Sequence, residues 1–192
     1  MLDEIPRRQE QGVVLIAVLM ASMLLMALAT GLVAVTTIET LVSANYRSAT
    51  EGLFAAEAGA EIVMADLVSA ADWSSLLAGG STASCPAALS ATQPARIEPA
   101  AVWGPDDPEW RLRLCGRLDD LMAAEGVESE FAVAAWIGDD PADRDGQPSI
   151  DSNDVLVVRS EAFGPLGVHR GVETVVARAP AGIRVVSWRA VL

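Results

Sequence analysis

VVLIAVLMASMLLMALATGLVAVTTI, Val13 to Ile38, runs for 26 residues without a charged side chain. As a helix this stretch would be about 39 Å long, more than the ~30 Å hydrocarbon core of a bilayer. Ahead of it lies a short polar leader, MLDEIPRRQEQG, in which Arg7 and Arg8 are the only basic residues. Positive charge marks the cytoplasmic side of a single span, so residues 1–12 are expected in the cytoplasm and everything after Ile38 outside it.

The helical pattern does not stop at Ile38. No proline occurs between Pro6 and Pro86. Tyr46, Ala49, Leu53, Ala56, Ala60, Val63 and Leu67 recur at three- and four-residue steps, with Arg47, Glu51, Glu57 and Glu61 between them. That spacing puts the apolar residues on one stripe. One helix is therefore expected from about Val13 to Ala70, apolar all round over 13–38 and amphipathic over 39–70. Two other readings of the N-terminus are open. A plain signal anchor would keep Met1. A cleaved secretory signal would be cut after Ala27-Leu28-Ala29, leaving Thr30 as the first residue.

Beyond the helix, residues 71–192 read as a small domain. Gly79-Gly80 and Pro86, Pro94, Pro99, Pro105 and Pro108 mark a Pro-rich connection over 79–108. Short runs suited to strands follow: Glu109 to Leu118, in which Trp110, Leu112 and Leu114 alternate with Arg111 and Arg113, then Glu130 to Ile137, Asp154 to Ser160, Val168 to Arg178 and Ile183 to Leu192. Gly164-Pro165 and Pro180-Ala181-Gly182 supply turns. Four to five antiparallel strands packed on the second half of one helix define an α+β fold. Cys85 and Cys115 are the only cysteines. In an exported domain the pair is expected to form a disulfide; otherwise it is two buried thiols. Trp73, Trp103, Trp110, Trp136 and Trp188 show no stacking period and read as core and interface residues.

Composition narrows the functions. The formal net charge is -13 over 192 residues, and every basic residue is arginine. Such a chain has no electrostatic footprint for nucleic acid. His169 is the single histidine, so a Ser-His-Asp or Cys-His centre would have to be built around it; its place in a strand-like run beside Arg170 suggests a surface or edge residue. There is no CxxC, HExxH, GxGxxG, GxxxxGK[ST] or GxSxG, and no enzymatic activity is expected. Carboxylates cluster in one loop, GDDPADRDGQPSIDSND, where Asp139, Asp140, Asp143, Asp145, Asp151 and Asp154 could coordinate Ca²⁺ through its preferred oxygen ligands. Alignment with an EF-hand fails, since Pro141 falls at the first ligand position and Ser152 at the last. The competing reading is a solvated acidic turn, and no other cofactor is expected.

Gly12-Val13-Val14-Leu15-Ile16, then Asn45-Tyr46-Arg47, then Phe54-Ala55-Ala56-Glu57-Ala58-Gly59 together resemble the PilX-type minor pilins of the type IV pilin-like family, over residues 9–68. The resemblance implies cleavage between Gly12 and Val13 by prepilin peptidase and methylation of the new Val13 amine. It also implies a single-pass inner-membrane protein with a periplasmic C-terminal domain, assembled into a type IV pilus or a type II secretion pseudopilus. The implied partners are other minor pilins, the major pilin, the inner-membrane assembly platform and a tip adhesin. Major pilins carry glutamate at the fifth mature position; here it is Ala17, as in subunits at the tip of such fibres. Gly31, with Thr30, Thr36 and Thr37, is either a helix-packing contact or a soft point of the helix. The reading outside this family is a signal-anchored or secreted periplasmic β-rich binding domain.

Overall fold

The computed structural model describes residues 7–79, 83, 85, 100–101, 108–122, 126, 128–142 and 144–191. A continuous helix, α1, spans Arg7–Ser69. It is shared by two compact units, Met1–Tyr46 and Arg47–Leu192.

In the first unit the described residues are all helical, and the apolar residues from Val13 to Ile38 face outward. The hydroxyls of the charge-free stretch are satisfied within the helix. Ser22 donates to the Val18 carbonyl at 2.8 Å, Thr30 to Met26 at 3.0 Å, Thr36 to Leu32 at 3.1 Å and Thr37 to Val33 at 2.8 Å. Back-bonding of this kind leaves no donor of the charge-free stretch pointing into an apolar surrounding.

In the second unit α1 turns one stripe to a core: Ala55, Ala56, Ala60, Val63 and Leu67 are buried. Leu53 packs at its edge, whereas Tyr46, expected on the same stripe, is 75% exposed. The buried stripe begins only about two helical turns after Tyr46. The chain then reverses at Trp73, whose indole N–H donates to the Leu67 carbonyl at 3.1 Å. The Arg178 guanidinium lies 4.4 Å over the Trp73 ring and donates to the Ala70 carbonyl at 3.1 Å. This arginine thus satisfies a carbonyl just past the end of α1, where no further helical N–H is available. A short helix, α2, follows at Ser74–Ala78.

The remaining elements are β1 (Ala100–Ala101), β2 (Trp110–Arg117), α3 (Leu118–Leu121), β3 (Ala132–Asp139), β4 (Val155–Phe163), a 3-10 turn (Pro165–Gly167), β5 (His169–Ala179) and β6 (Gly182–Val191). The strands form one antiparallel sheet in sequence order, β1 to β6. This is the expected α+β class: five strands of eight residues or more, with the two-residue β1 added at the edge of β2. Strand alternation sorts side chains onto two faces. Val133, Ala135 and Ile137 of β3, Leu156, Val158 and Ala162 of β4, and Val172 and Val176 of β5 join the α1 stripe in one core. Trp110, Leu112, Ala134, Trp136, Val157 and Phe163 form a second core on the opposite face, with Ala83 and Cys85 packed against it. Burial on both faces explains why β3 and β4 read as near-continuous apolar runs.

Cys85 and Cys115 are joined in a disulfide across 30 positions of sequence. In the chain-entropy account a loop of that size contributes roughly 3–4 kcal/mol by restricting the unfolded chain. Replacing both cysteines with serine should lower stability by that amount. Denaturant titration of the full chain in detergent, followed by tryptophan fluorescence, measures it; an unchanged midpoint would mean the bridge does not constrain the unfolded state.

Candidate functional site

Three places were singled out by sequence or emerge from the fold. The first is the start of α1. Gly12, Val13 and Ala17 lie within the helix and are exposed, so the Gly12–Val13 bond sits at the junction of polar leader and apolar run. Nothing lies within 4 Å of where a Cβ on Gly31 would be. The helix is long and apolar enough to cross a membrane.

The second is the acidic loop between β3 and β4. Asp139 closes β3 and is buried. Asp140 accepts the Ala142 N–H at 3.1 Å, Asp145 the Gln147 N–H at 2.8 Å, and Asp151 the N–H groups of Asn153 and Val155, each at 3.2 Å. Asp154 pairs with Arg178 at 3.1 Å and adopts a left-handed φ of 58°. These are turn-forming contacts, in which a short carboxylate replaces a missing backbone acceptor. Partial burial pushes the Asp151 carboxyl above the usual carboxylate range, and its backbone hydrogen bonds only partly offset this. Among the described residues no three acidic, histidine or cysteine side chains converge on one point to hold a metal; Asp143 lies outside the described residues. The loop also walls a cleft of about 420 Å³ lined by Pro108, Pro141, Pro148, Asp140, Arg144 and Asp145. Because no three of these carboxylates converge among the described residues, adding millimolar Ca²⁺ should leave the melting temperature of the full chain unchanged. A rise that disappears in the D140N/D145N double variant would instead identify the loop as a calcium site.

The third was missed by sequence reading. On the sheet face away from α1, a charged network crosses three strands. Arg159 on β4 donates twice to Oε1 of Glu161, at 3.0 and 2.9 Å. His169 Nε2 meets Glu161 Oε2 at 2.9 Å, and its ring stacks on Phe163 with centroids 4.6 Å apart. Arg159 also lies 3.8 Å from Glu173 on β5, which Arg189 of β6 grips at 2.6 Å. The Glu161 side chain is only 2% exposed. Burial alone would raise its pKa, but the His169 hydrogen bond and the Arg159 charge outweigh burial and hold the carboxyl below the usual range. His169 is thus not the surface or edge residue expected from its neighbours; it is half-buried, because β5 starts opposite the end of β4 and sets it across from Phe163. Two arginines balance two glutamates here. The adjacent Ser160 hydroxyl lies on the opposite, α1-facing side of the sheet, so the only hydroxyl next to the pair in sequence is turned away from His169. The arrangement ties β4, β5 and β6 together. A signal was present in Arg159-Ser160-Glu161, two charges at strand spacing inside an otherwise apolar run.

Comparison of the chain with protein-family models, with curated proteins and with solved structures finds no match. Sequence and geometry alone therefore carry the functional reading.

Proposed function

We propose that this chain is a PilX-type minor pilin or pseudopilin, a subunit that takes part in assembling a type IV pilus or a type II secretion pseudopilus. Its work is association, not catalysis. Residues Val13 to Ile38 hold it in the bacterial inner membrane, with everything after Ile38 in the periplasm, until the helix leaves lipid for a bundle of like helices. The observation that supports this best is the character of α1. One unbroken helix is charge-free and outward-facing over Val13 to Ile38, with its hydroxyls bonded internally, and supplies a core stripe from Ala55 to Leu67. Both cuts fall within α1, but a secretory cut after Ala29 would remove most of the charge-free run, whereas a cut after Gly12 removes only the polar leader and leaves that run whole. The partners of this reading are prepilin peptidase, other minor pilins, the major pilin, the assembly platform and a tip adhesin.

The test is the N-terminus of the membrane-extracted protein. Edman or mass-spectrometric sequencing should begin at a methylated Val13, and a Gly12→Val variant should retain the leader. A start at Thr30 would support a secreted domain, a start at Met1 a simple anchor, and either overturns the proposal.

Ala17 refines the position. A carboxylate inside a bilayer is costly and persists where a cation partners it; the fifth mature residue of bulk pilins offers such a carboxylate to a neighbouring N-terminal amine. Ala17 offers none, which supports a position at or near the tip. An Ala17→Glu variant should shift labelling from fibre ends to the shaft, as counted by immunogold microscopy. Unchanged end-only labelling would remove the mechanism.

A further inference from the structure

The last strand presents an open side. β6, Gly182–Val191, pairs only with β5, and among the described residues no strand lies beyond it. It is ten residues long, contains no proline, and Val185, Val186 and Trp188 are 51%, 51% and 48% exposed. Long edge strands are normally blunted by proline, charged side chains, β-bulges or short length, because their outward N–H and C=O groups are a template for a further strand; β6 has one bulge and two arginines and is otherwise open. Here the one irregularity is the register shift between Val175 and Val176, which sets Val186 out of the ladder.

The register sorts the β6 side chains. Trp188 lies opposite Thr174 and Val185 opposite Val176, on the face that carries the α1 core; Arg184 lies opposite Ala177 and Arg189 opposite Glu173, on the other face. No acidic residue occurs in β6. One face of the edge is therefore apolar and aromatic; the other carries Arg184, together with Arg189, which Glu173 already holds at 2.6 Å.

This pattern selects the occupant. A second copy pairing antiparallel with Val185 across from Trp188 would set Arg184 directly across from Arg189. Like charges opposite each other destabilise a strand pair. We propose that β6 docks an extended segment of a partner protein that alternates apolar residues with carboxylates. Its apolar side chains lie beside Val185 and Trp188, a carboxylate faces Arg184, and main-chain hydrogen bonds extend the sheet by one strand. The inference rests on β6 alone and stands whether or not the α1 reading holds.

The probe is a Val-Glu repeat peptide of about ten residues, the length of β6, compared with a Val-Lys repeat of equal length. Both are titrated against the full chain in detergent. The acidic peptide should bind, weaken with added salt, and slow hydrogen exchange at alternate amides between Arg184 and Ala190. Arg184→Glu should weaken binding roughly fivefold, the size expected when an attractive cross-strand charge pair becomes repulsive, and Trp188→Ala should also weaken it. Both positions are exposed, so an unchanged melting temperature confirms folding of each variant. Equal binding of the lysine peptide, or unchanged exchange in β6, overturns the proposal. So does a peptide-free dimer abolished by Trp188→Ala, which would make a second copy the occupant.

Discussion

Glu161→Gln should lower the stability of the unit spanning residues 47–192 by about 3–5 kcal/mol, the usual consequence of removing one partner from a buried ion pair. The substitution keeps the shape and removes the charge. Arg159 then stays buried with its two donors facing a neutral amide, and its remaining anion, Glu173, is 3.8 Å away and already held by Arg189. Most of the loss is the penalty of a buried guanidinium deprived of its nearest carboxylate, not the intrinsic worth of the pair. Replacing both partners, as in Arg159→Met with Glu161→Leu, should therefore be much less damaging than Glu161→Gln alone. Tryptophan fluorescence during denaturant titration of the full chain reports the unit, since Trp110 and Trp136 are fully buried. If the double variant loses as much as the sum of the singles, the ion-pair account is wrong.

The same carboxylate sets an acid limit. Its folded pKa lies below the ordinary value, so the unfolded chain takes up the proton first as pH falls. The stabilisation is complete above the ordinary carboxylate range and fades as pH drops toward the lowered folded pKa. Wild type should lose stability through that acid window more steeply than Glu161→Gln, which lacks the titrating group.

The parts that sequence made legible share one physical cause: periodic burial of apolar side chains. The stripe from Leu53 to Leu67 and the alternation in β2 each follow from a face that must leave water, the charge-free run is apolar all round, and each of β2 to β6 lies within three residues of its sequence estimate. Tyr46 broke the pattern because periodicity marks a face and says nothing of how far along a helix that face is covered. The Arg159–Glu161–His169–Glu173–Arg189 network was legible only as two charges on one strand, for a different reason. Its members are two residues apart on β4 but meet β5 and β6 only through strand register, and register is set by turns whose length one sequence does not fix. The acidic loop was legible as acidic, while the use of its carboxylates in turn hydrogen bonds depends on backbone angles such as the left-handed φ of Asp154.

Gly59 connects the sequence motif to the packing and should show the other large effect. In a helix interior glycine is about 1 kcal/mol worse than alanine, so a helix chosen for propensity alone would gain from Gly59→Ala. The opposite is expected. A Cβ at this position would collide with the Val133 side chain and come within 2.5 Å of the Ser160 hydroxyl. Both belong to strands, β3 and β4, whose backbones are held on both sides by the ladder. Overpacking of this kind costs about 1–3 kcal/mol, more when the strands cannot shift, so Gly59→Ala should be net destabilising and Gly59→Val should leave the unit largely unfolded. Ala55, Ala56 and Ala60 are buried on the same side. The small residues of Phe54-Ala55-Ala56-Glu57-Ala58-Gly59 therefore have a mechanical meaning: they bring the backbone of α1 close to the sheet. Val133→Ala removes the γ-carbons that the new Cβ would strike. Combined with Gly59→Ala it should cost less than the two single changes added together, a favourable coupling between neighbouring sites. Strict additivity of the two would mean that α1 is held off the sheet by something other than this contact.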